Sequence, residues 1–218
     1  IVDIGANVGL YTALFASKAG EDGLVVALEP DPASFQFLTK TVEANAFRNC
    51  RLLNAAASSS AGKMTLYTSS VNRGDNRLYR NGSADGSVAV EAVVLDEALP
   101  SMGILSIDFL KVDVQGFEGH VAEGLRETLR RSPKLTILME FWPDGLSQAG
   151  SDALAPLQLF RGLGFTICRL LGRGGLTRID DDHALIREHP GWNYANLVLL
   201  GPDAPAYPST GAASRGLR

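Results

Sequence analysis

Five polar residues, Asp3, Glu29, Asn54, Asp113 and Glu140, each stand just after a short apolar run. If those runs are strands of one open parallel sheet, all five collect at its carboxyl edge, where such sheets bind ligands. Any one of them could simply cap the helix that follows, but capping alone is a strained explanation for five at one edge. Glu29 says most. An acid at the end of the second strand, about 20 residues past a glycine-rich turn, is placed to accept hydrogen bonds from ribose hydroxyls. The next helix already has its cap in Asp31, with Pro32 at its first position.

The glycine-rich turn is Asp3-Ile4-Gly5-Ala6-Asn7-Val8-Gly9, set between a β-branched run and an apolar-periodic segment over residues 10–19. A strand, a tight turn and a helix start bring ligand atoms against backbone N–H groups. Gly5 and Gly9 suit the bend, because a Cβ there would block a positive φ or the ligand. Asn7 stands where a dinucleotide fingerprint needs the glycine that admits a pyrophosphate. A ribose acid beside so encumbered a turn points to an adenosine ligand without a diphosphate. S-adenosyl-L-methionine (SAM) fits that description.

The elements that must position these residues follow from periodicity. Residues 24–28 form a continuous apolar run, as in a strand buried on both faces, and a helix spans 32 to about 46. Residues 51–56 make a third strand, so the chain opens β-α-β-α-β, half of a doubly wound sheet. Residues 63–68 and 88–95 read as an antiparallel pair around a long polar loop, 69–86, which is either functional or disordered. Residues 107–113 are a buried strand, and one helix follows with Phe117, Val121, Leu125 and Leu129 on one face. Residues 135–140 form a strand, 154–163 a helix, and 165–171 with 196–200 a closing strand pair.

The 218 residues suit a single α/β domain over 1–201, with 202–218 as a disordered tail. The chain has no initiator Met and opens inside a strand, so it reads as a piece of a longer protein. A net charge of −4 disfavours nucleic acid and anionic membranes as partners. No apolar run is long enough to span a bilayer. The two cysteines, Cys50 and Cys168, lie inside expected regular elements, which fits free thiols in a reducing cytoplasm.

The motifs Asp3 to Gly9, Glu29-Pro30-Asp31, Asn54-Ala55-Ala56, Leu95-Asp96 and Leu110-Lys111-Val112-Asp113-Val114-Gln115-Gly116-Phe117-Glu118 together resemble the FkbM-type family of SAM-dependent methyltransferases. The resemblance implies a Rossmann-like class I methyltransferase fold: a seven-stranded, mostly parallel sheet with its last strand antiparallel and helices on both faces. It implies O-methylation of a hydroxyl on a sugar or secondary metabolite, so the partner is a small-molecule or glycan acceptor. Asp3, Gly5, Ala6, Asn7 and Gly9 would hold the methionine part of SAM, and Glu29 beside Pro30 its ribose. Asn54 and Ala55 would lie near the adenine, and Asp113 would face the methyl group and the acceptor. The family motif usually reads Asp-x-Glu-Gly, and here Gln115 replaces the acid.

Methyl transfer is an in-line displacement, helped by alignment and by a base where the hydroxyl is poorly acidic. Asp113 is the first candidate base, Glu140 the second and His120 the third, although one helical turn past the strand His120 is expected to face solvent. Asn72, Asp75 and Asn76 could reach over the site, and Trp142 could wall an acceptor pocket or pack in the core. Asp113 and Glu140 could instead share a divalent cation, but two ligands are few for a hard ion, and no metal is expected. Asp180-Asp181-Asp182-His183 reads as a solvated turn. Two rival functions remain. Gln115 would suit a SAM-binding module that has lost catalysis, and a similar sheet could serve an NAD(P)-dependent reductase, against which the turn argues.

Overall fold

The computed structural model describes residues 1–205 except 81 and 83. In chain order the strands are β1 (Val2–Ile4), β2 (Val25–Leu28), β3 (Cys50–Leu53), β4 (Ala56–Ala57), β5 (Gly62–Thr68), β6 (Gly86–Val93), β7 (Phe109–Val112), β8 (Thr136–Phe141), β9 (Thr166–Leu170), β10 (Leu176–Arg178) and β11 (Ala195–Leu200). The helices are α1 (Leu10–Ala19), α2 (Pro32–Ala44), α3 (Leu95–Ser101), α4 (Glu118–Glu123), α5 (Arg126–Arg130), α6 (Pro143–Gln148), α7 (Leu154–Gly162) and α8 (Asp182–Arg187).

The main sheet has eight strands in the order β10-β9-β11-β8-β7-β1-β2-β3. β3, β2, β1, β7 and β8 pair in parallel, and β11 lies antiparallel between β8 and β9. That is the expected architecture with one more strand than expected, because β10 adds an antiparallel edge to β9. β5 and β6 pair antiparallel as expected, but with β4 they form a separate three-stranded sheet. Val2, Ile4, Val26, Leu28, Leu110 and Val112 are in register and almost fully buried on one face of the central strands, and Asp3, Ala27 and Lys111 are buried on the other. The carboxyl ends of these parallel strands converge on one polar edge.

Several local expectations are corrected by tertiary contacts. α1 buries only Thr12 and Ala16 and leaves Leu10 and Leu14 exposed, because the Thr12 hydroxyl turns inward to donate to Asp3 Oδ2 at 2.6 Å. α2 begins on the Asp31 cap, whose carboxylate accepts the Ala33 and Ser34 N–H groups, and it ends at Ala44, short of 46. The helix expected after β7 is two helices, although all four residues of its apolar face are buried. Asp96, at the start of α3, accepts the N–H groups of Glu127 (2.8 Å) and Thr128 (2.7 Å) and so starts α5 afresh. At the break, a Cβ on Gly124 would fall 2.2 Å from the Ser58 carbonyl oxygen. Asp96→Ala should cost about 1–2 kcal/mol, read as a lower denaturation midpoint with an unchanged slope.

The start of the expected tail is docked: the Asp203 N–H donates to the Pro133 carbonyl at 2.9 Å, and residues 206–218 lie outside those described. The acidic run is a helix start. Asp180 pairs with Arg178, Asp181 caps α8, and Asp182 pairs with Arg161 at 2.7 Å. Among the described residues no helix is long and apolar enough to cross a membrane.

Candidate active site

The turn after β1 is closed by its own hydrogen bonds. The Gly5 and Ala6 N–H groups donate to the Leu28 carbonyl at 3.0 and 2.9 Å, and that of Gly9 donates to Ala6. The Asn7 N–H donates to Glu29 Oε2 at 2.8 Å. Those amides hold the loop against β2 and are not turned toward a ligand, which corrects the expectation from the motif. The glycines are there for clearance. At φ +75°, Gly5 passes so close to Asp113 that a Cβ would lie 2.0 Å from the Asp113 carbonyl oxygen.

Above this turn is a cavity of about 240 Å³. Gly5, Asn7, Glu29, Pro30, Ala55 and Asp113 line it. One side is apolar, from Leu28, Ala56, Ala57 and Leu66, and the long loop closes another with Gly74, Asn76 and Leu78. Asp3, Ala6, Gly9 and Asn54 do not line it. Asp3 is fully buried beneath, 3.5 Å from Lys111 Nζ, and that ammonium also sits 3.6 Å from Asp113 and donates to the Gly5 carbonyl. The Asn54 amide donates to the carbonyls of Glu29 and Pro30 and so fixes the end of β2. Sequence reasoning passed over Lys111, although a lone cation in a buried strand was a signal.

Glu29 accepts from Asn7 and Asp31 N–H groups, yet its burial pushes its pKa up to about 7. Glu118 goes the same way. It is completely enclosed, its Oε1 accepts the Val114 and Gly116 N–H groups at 3.2 Å, and Oε2 has no hydrogen-bond partner among the described residues. Burial raises its pKa to about 7 from an ordinary 4.5. The folded chain therefore keeps protons that the unfolded chain has released above its ordinary carboxylate pKa. This contribution is complete below about pH 4.5 and is lost as the pH rises through about 7. Thermal melts should show a lower midpoint at pH 8 than at pH 5. The slope should approach about 1.4 kcal/mol per pH unit for each such group, and Glu118→Gln should flatten it.

A second cavity, of about 260 Å³, lies on the far side of Gln115 and is lined by Asn72, Gly74, Asp75, Glu140, Trp142, Trp192 and Tyr194 among others. Gln115 and Gly74 border both cavities. Gln115 has φ +56°, a left-handed conformation unusual for a side chain of its size, and Gly116 follows at +99°. The Tyr79 hydroxyl, from the long loop, donates to the Gln115 carbonyl at 2.9 Å. The Gln115 amide nitrogen then donates to Asp113 Oδ1 at 3.2 Å and to Glu140 Oε1 at 3.3 Å. The two expected catalytic carboxylates are thus joined through one amide. Asp113 faces the first cavity and Glu140 the second. Burial, reinforced by the Asp113 charge, raises the Glu140 pKa to about 7.

The long loop is ordered where described. Tyr67 and Arg77 exchange backbone hydrogen bonds at 2.8 and 3.0 Å, and Asn76 Oδ1 accepts the Ser69 N–H. His120 is half-buried and lines neither cavity: its Nε2 bonds the Ala149 carbonyl and its ring stacks on Phe117 at 4.2 Å. Trp142 is 4% exposed and also forms a wall of the second cavity.

The model of the methyltransferase FkbM domain matches residues 3–167, more than half of the chain. The chain belongs to that family. The FkbM domain is 28% identical over 176 residues to methyltransferase sdnD of Sordaria araneosa, covering 67% of this chain and 68% of that protein. It is 29% identical over 128 residues to hexuronic acid methyltransferase AglP of Haloferax volcanii, covering 59% of this chain and 50% of that one. The solved methyltransferase FkbM from Methylobacillus flagellatus superposes with a TM-score of 0.52 at 15% identity, over 91% of this chain and 42% of its own. That likeness is one of fold. The FkbM domain described here spans half to two thirds of the length of these two curated relatives.

Proposed function

We propose that this chain is a SAM-dependent methyltransferase that methylates a hydroxyl of a sugar or secondary metabolite. One observation carries the reading: two cavities meet at Gln115, one shaped for a nucleoside and the other presenting a carboxylate. The first cavity suits SAM in its chemistry. Leu28, Ala56 and Leu66 offer an apolar slot for a flat base, and Glu29 at the rim offers a carboxylate for ribose hydroxyls. When bound, SAM supplies an electrophilic methyl group on a sulfonium centre. Asp113 and Gly5 would flank its methionine end, with Lys111 and Asp3 holding Asp113 from below.

Glu140 is the better base of the two candidates. It lines the acceptor side, and a pKa near 7 suits proton removal at neutral pH. Asp113, ion-paired with Lys111, orients Gln115 and through it Glu140. The net charge of −4 supports a small-molecule or glycan acceptor over nucleic acid, and the free thiols of Cys50 and Cys168 suit a reducing cytoplasm.

Calorimetric titration with S-adenosylhomocysteine (SAH) and, separately, NADH tests the reading. Binding of SAH alone is expected, and binding of NADH alone would replace the methyltransferase by a reductase. A degenerate module is the second reading, motivated by Gln115. Gln115→Glu separates them. A third carboxylate beside Asp113 and Glu140 removes the bridging donor and pushes the Glu140 pKa further up, so turnover at pH 7 should fall about tenfold and recover at higher pH. A large gain in turnover would instead mark a decayed site.

A further inference from the structure

The second cavity has an aromatic floor whose construction goes beyond core packing. Trp142 and Trp192 stack with ring centroids 5.0 Å apart and planes 19° from parallel. Trp142 is buried and its indole N–H donates to the Gly191 carbonyl at 2.6 Å, which fastens the segment carrying Trp192 to the sheet edge. Trp192 itself is 71% exposed and the neighbouring Tyr194 53%. Large aromatic faces left open beside polar groups are costly unless something covers them.

We propose that this cavity is the acceptor subsite and that it takes an uncharged pyranose ring laid against Trp192, turning uronates away. The proposal rests on the methyltransferase reading above and names its acceptor class. A pyranose has an apolar C–H face, which packs on an indole, and a rim of hydroxyls, which needs hydrogen-bonding partners. Asn72, Asp75, Gln115 and Glu140 supply that rim on the walls around the aromatic floor. The volume of about 260 Å³ has room for one hexose unit.

The charge preference comes from where the ions sit. Asp75 and Glu140 line the cavity, so an incoming carboxylate meets two carboxylates first. The nearby cation, Arg77, is only 1% exposed and stands behind the wall, its guanidinium carbon 4.7 Å from the Trp142 ring and 5.1 Å from that of Trp192. Arg77 pairs with Asp75 at 3.6 Å from behind and Gln115 donates to Glu140, which weakens the pull on a cationic sugar, while the buried guanidinium offers a uronate no accessible partner.

The test is saturation-transfer NMR on the chain saturated with SAH, using neutral methyl hexopyranosides, their hexuronide counterparts and amino-sugar glycosides. Transfer to neutral hexosides is expected. Trp192→Ala should weaken it at least about tenfold, Trp192→Phe should restore most of it, and SAH affinity should not change in either. Stronger transfer to uronides or amino sugars overturns the proposal, as does Trp192→Ala binding like the parent. No transfer from a chain that binds SAH overturns the acceptor class and leaves the methyltransferase reading standing. Neutral sugars bound by a chain that does not bind SAH would support the subsite and remove that reading.

Discussion

Glu140→Gln should lower the rate of methyl transfer at pH 7 by about 10²–10⁴-fold, the usual contribution of a positioned general base. The substitution keeps the length and planarity of the side chain that lines the second cavity and meets the Gln115 amide, while removing the ability to take a proton. SAH affinity should stay within about twofold, since Glu140 does not line the nucleoside cavity and an unused group carries no binding energy. The pH profile is the sharper readout. The base works ionised, and its pKa is about 7, raised by burial and by the Asp113 charge. The wild-type rate should therefore climb about tenfold per pH unit below neutrality and level off above it, and the variant should lack that limb. A Glu140→Gln enzyme with wild-type turnover would return the role to Asp113.

Glu29→Ala should raise the dissociation constant for SAH by about 10–100-fold, the loss of a charge-assisted hydrogen bond. The carboxylate also accepts the Asn7 and Asp31 N–H groups, so Ala loosens the turn after β1 as well as removing the ribose contact. Glu29→Gln keeps one carbonyl acceptor and separates the two effects: most of the stability should return and much of the affinity should not. Burial holds the Glu29 pKa up to about 7, so SAH should bind the parent more tightly as the pH rises through neutrality. The Gln variant should lose that dependence. Equal affinity in parent and both variants, measured by calorimetry, would take the ribose role away from Glu29.

The parts of this molecule that were legible in advance share one property: their signal is local. A continuous apolar run identifies β2, because a strand covered on both faces needs no alternation, and shorter apolar runs broken by Lys111 and Glu140 mark β7 and β8. Asp31-Pro32 marks the start of α2, and the positions of Glu29 and Asp113 follow from being next after a strand, whereas Glu140 lies inside β8, one residue before its end. What stayed hidden depends on partners distant in sequence. Nothing near Gly124 announces that Asp96 will start a new helix there, or that Ser58 will lie against the break. Asn54 sits at the expected edge and Asp3 inside β1 beneath it, and both side chains serve the scaffold, which only the packed neighbours decide. The second cavity was half visible. Trp142 was in view, but its partners Trp192 and Arg77 come from segments 50 residues later and 65 residues earlier (192 − 142 and 142 − 77).

Gly74, on the long loop, borders both cavities, and Tyr79, farther along the same loop, grips the Gln115 carbonyl between them. Grafting this loop from a relative would therefore change donor recognition and acceptor recognition together, so new acceptor preferences should rarely arise there by single steps. The segment with Trp192 and Tyr194 touches only the second cavity. It can be redrawn while the nucleoside pocket stays as it is, which makes it the natural starting point for redirecting this scaffold toward a different hydroxyl.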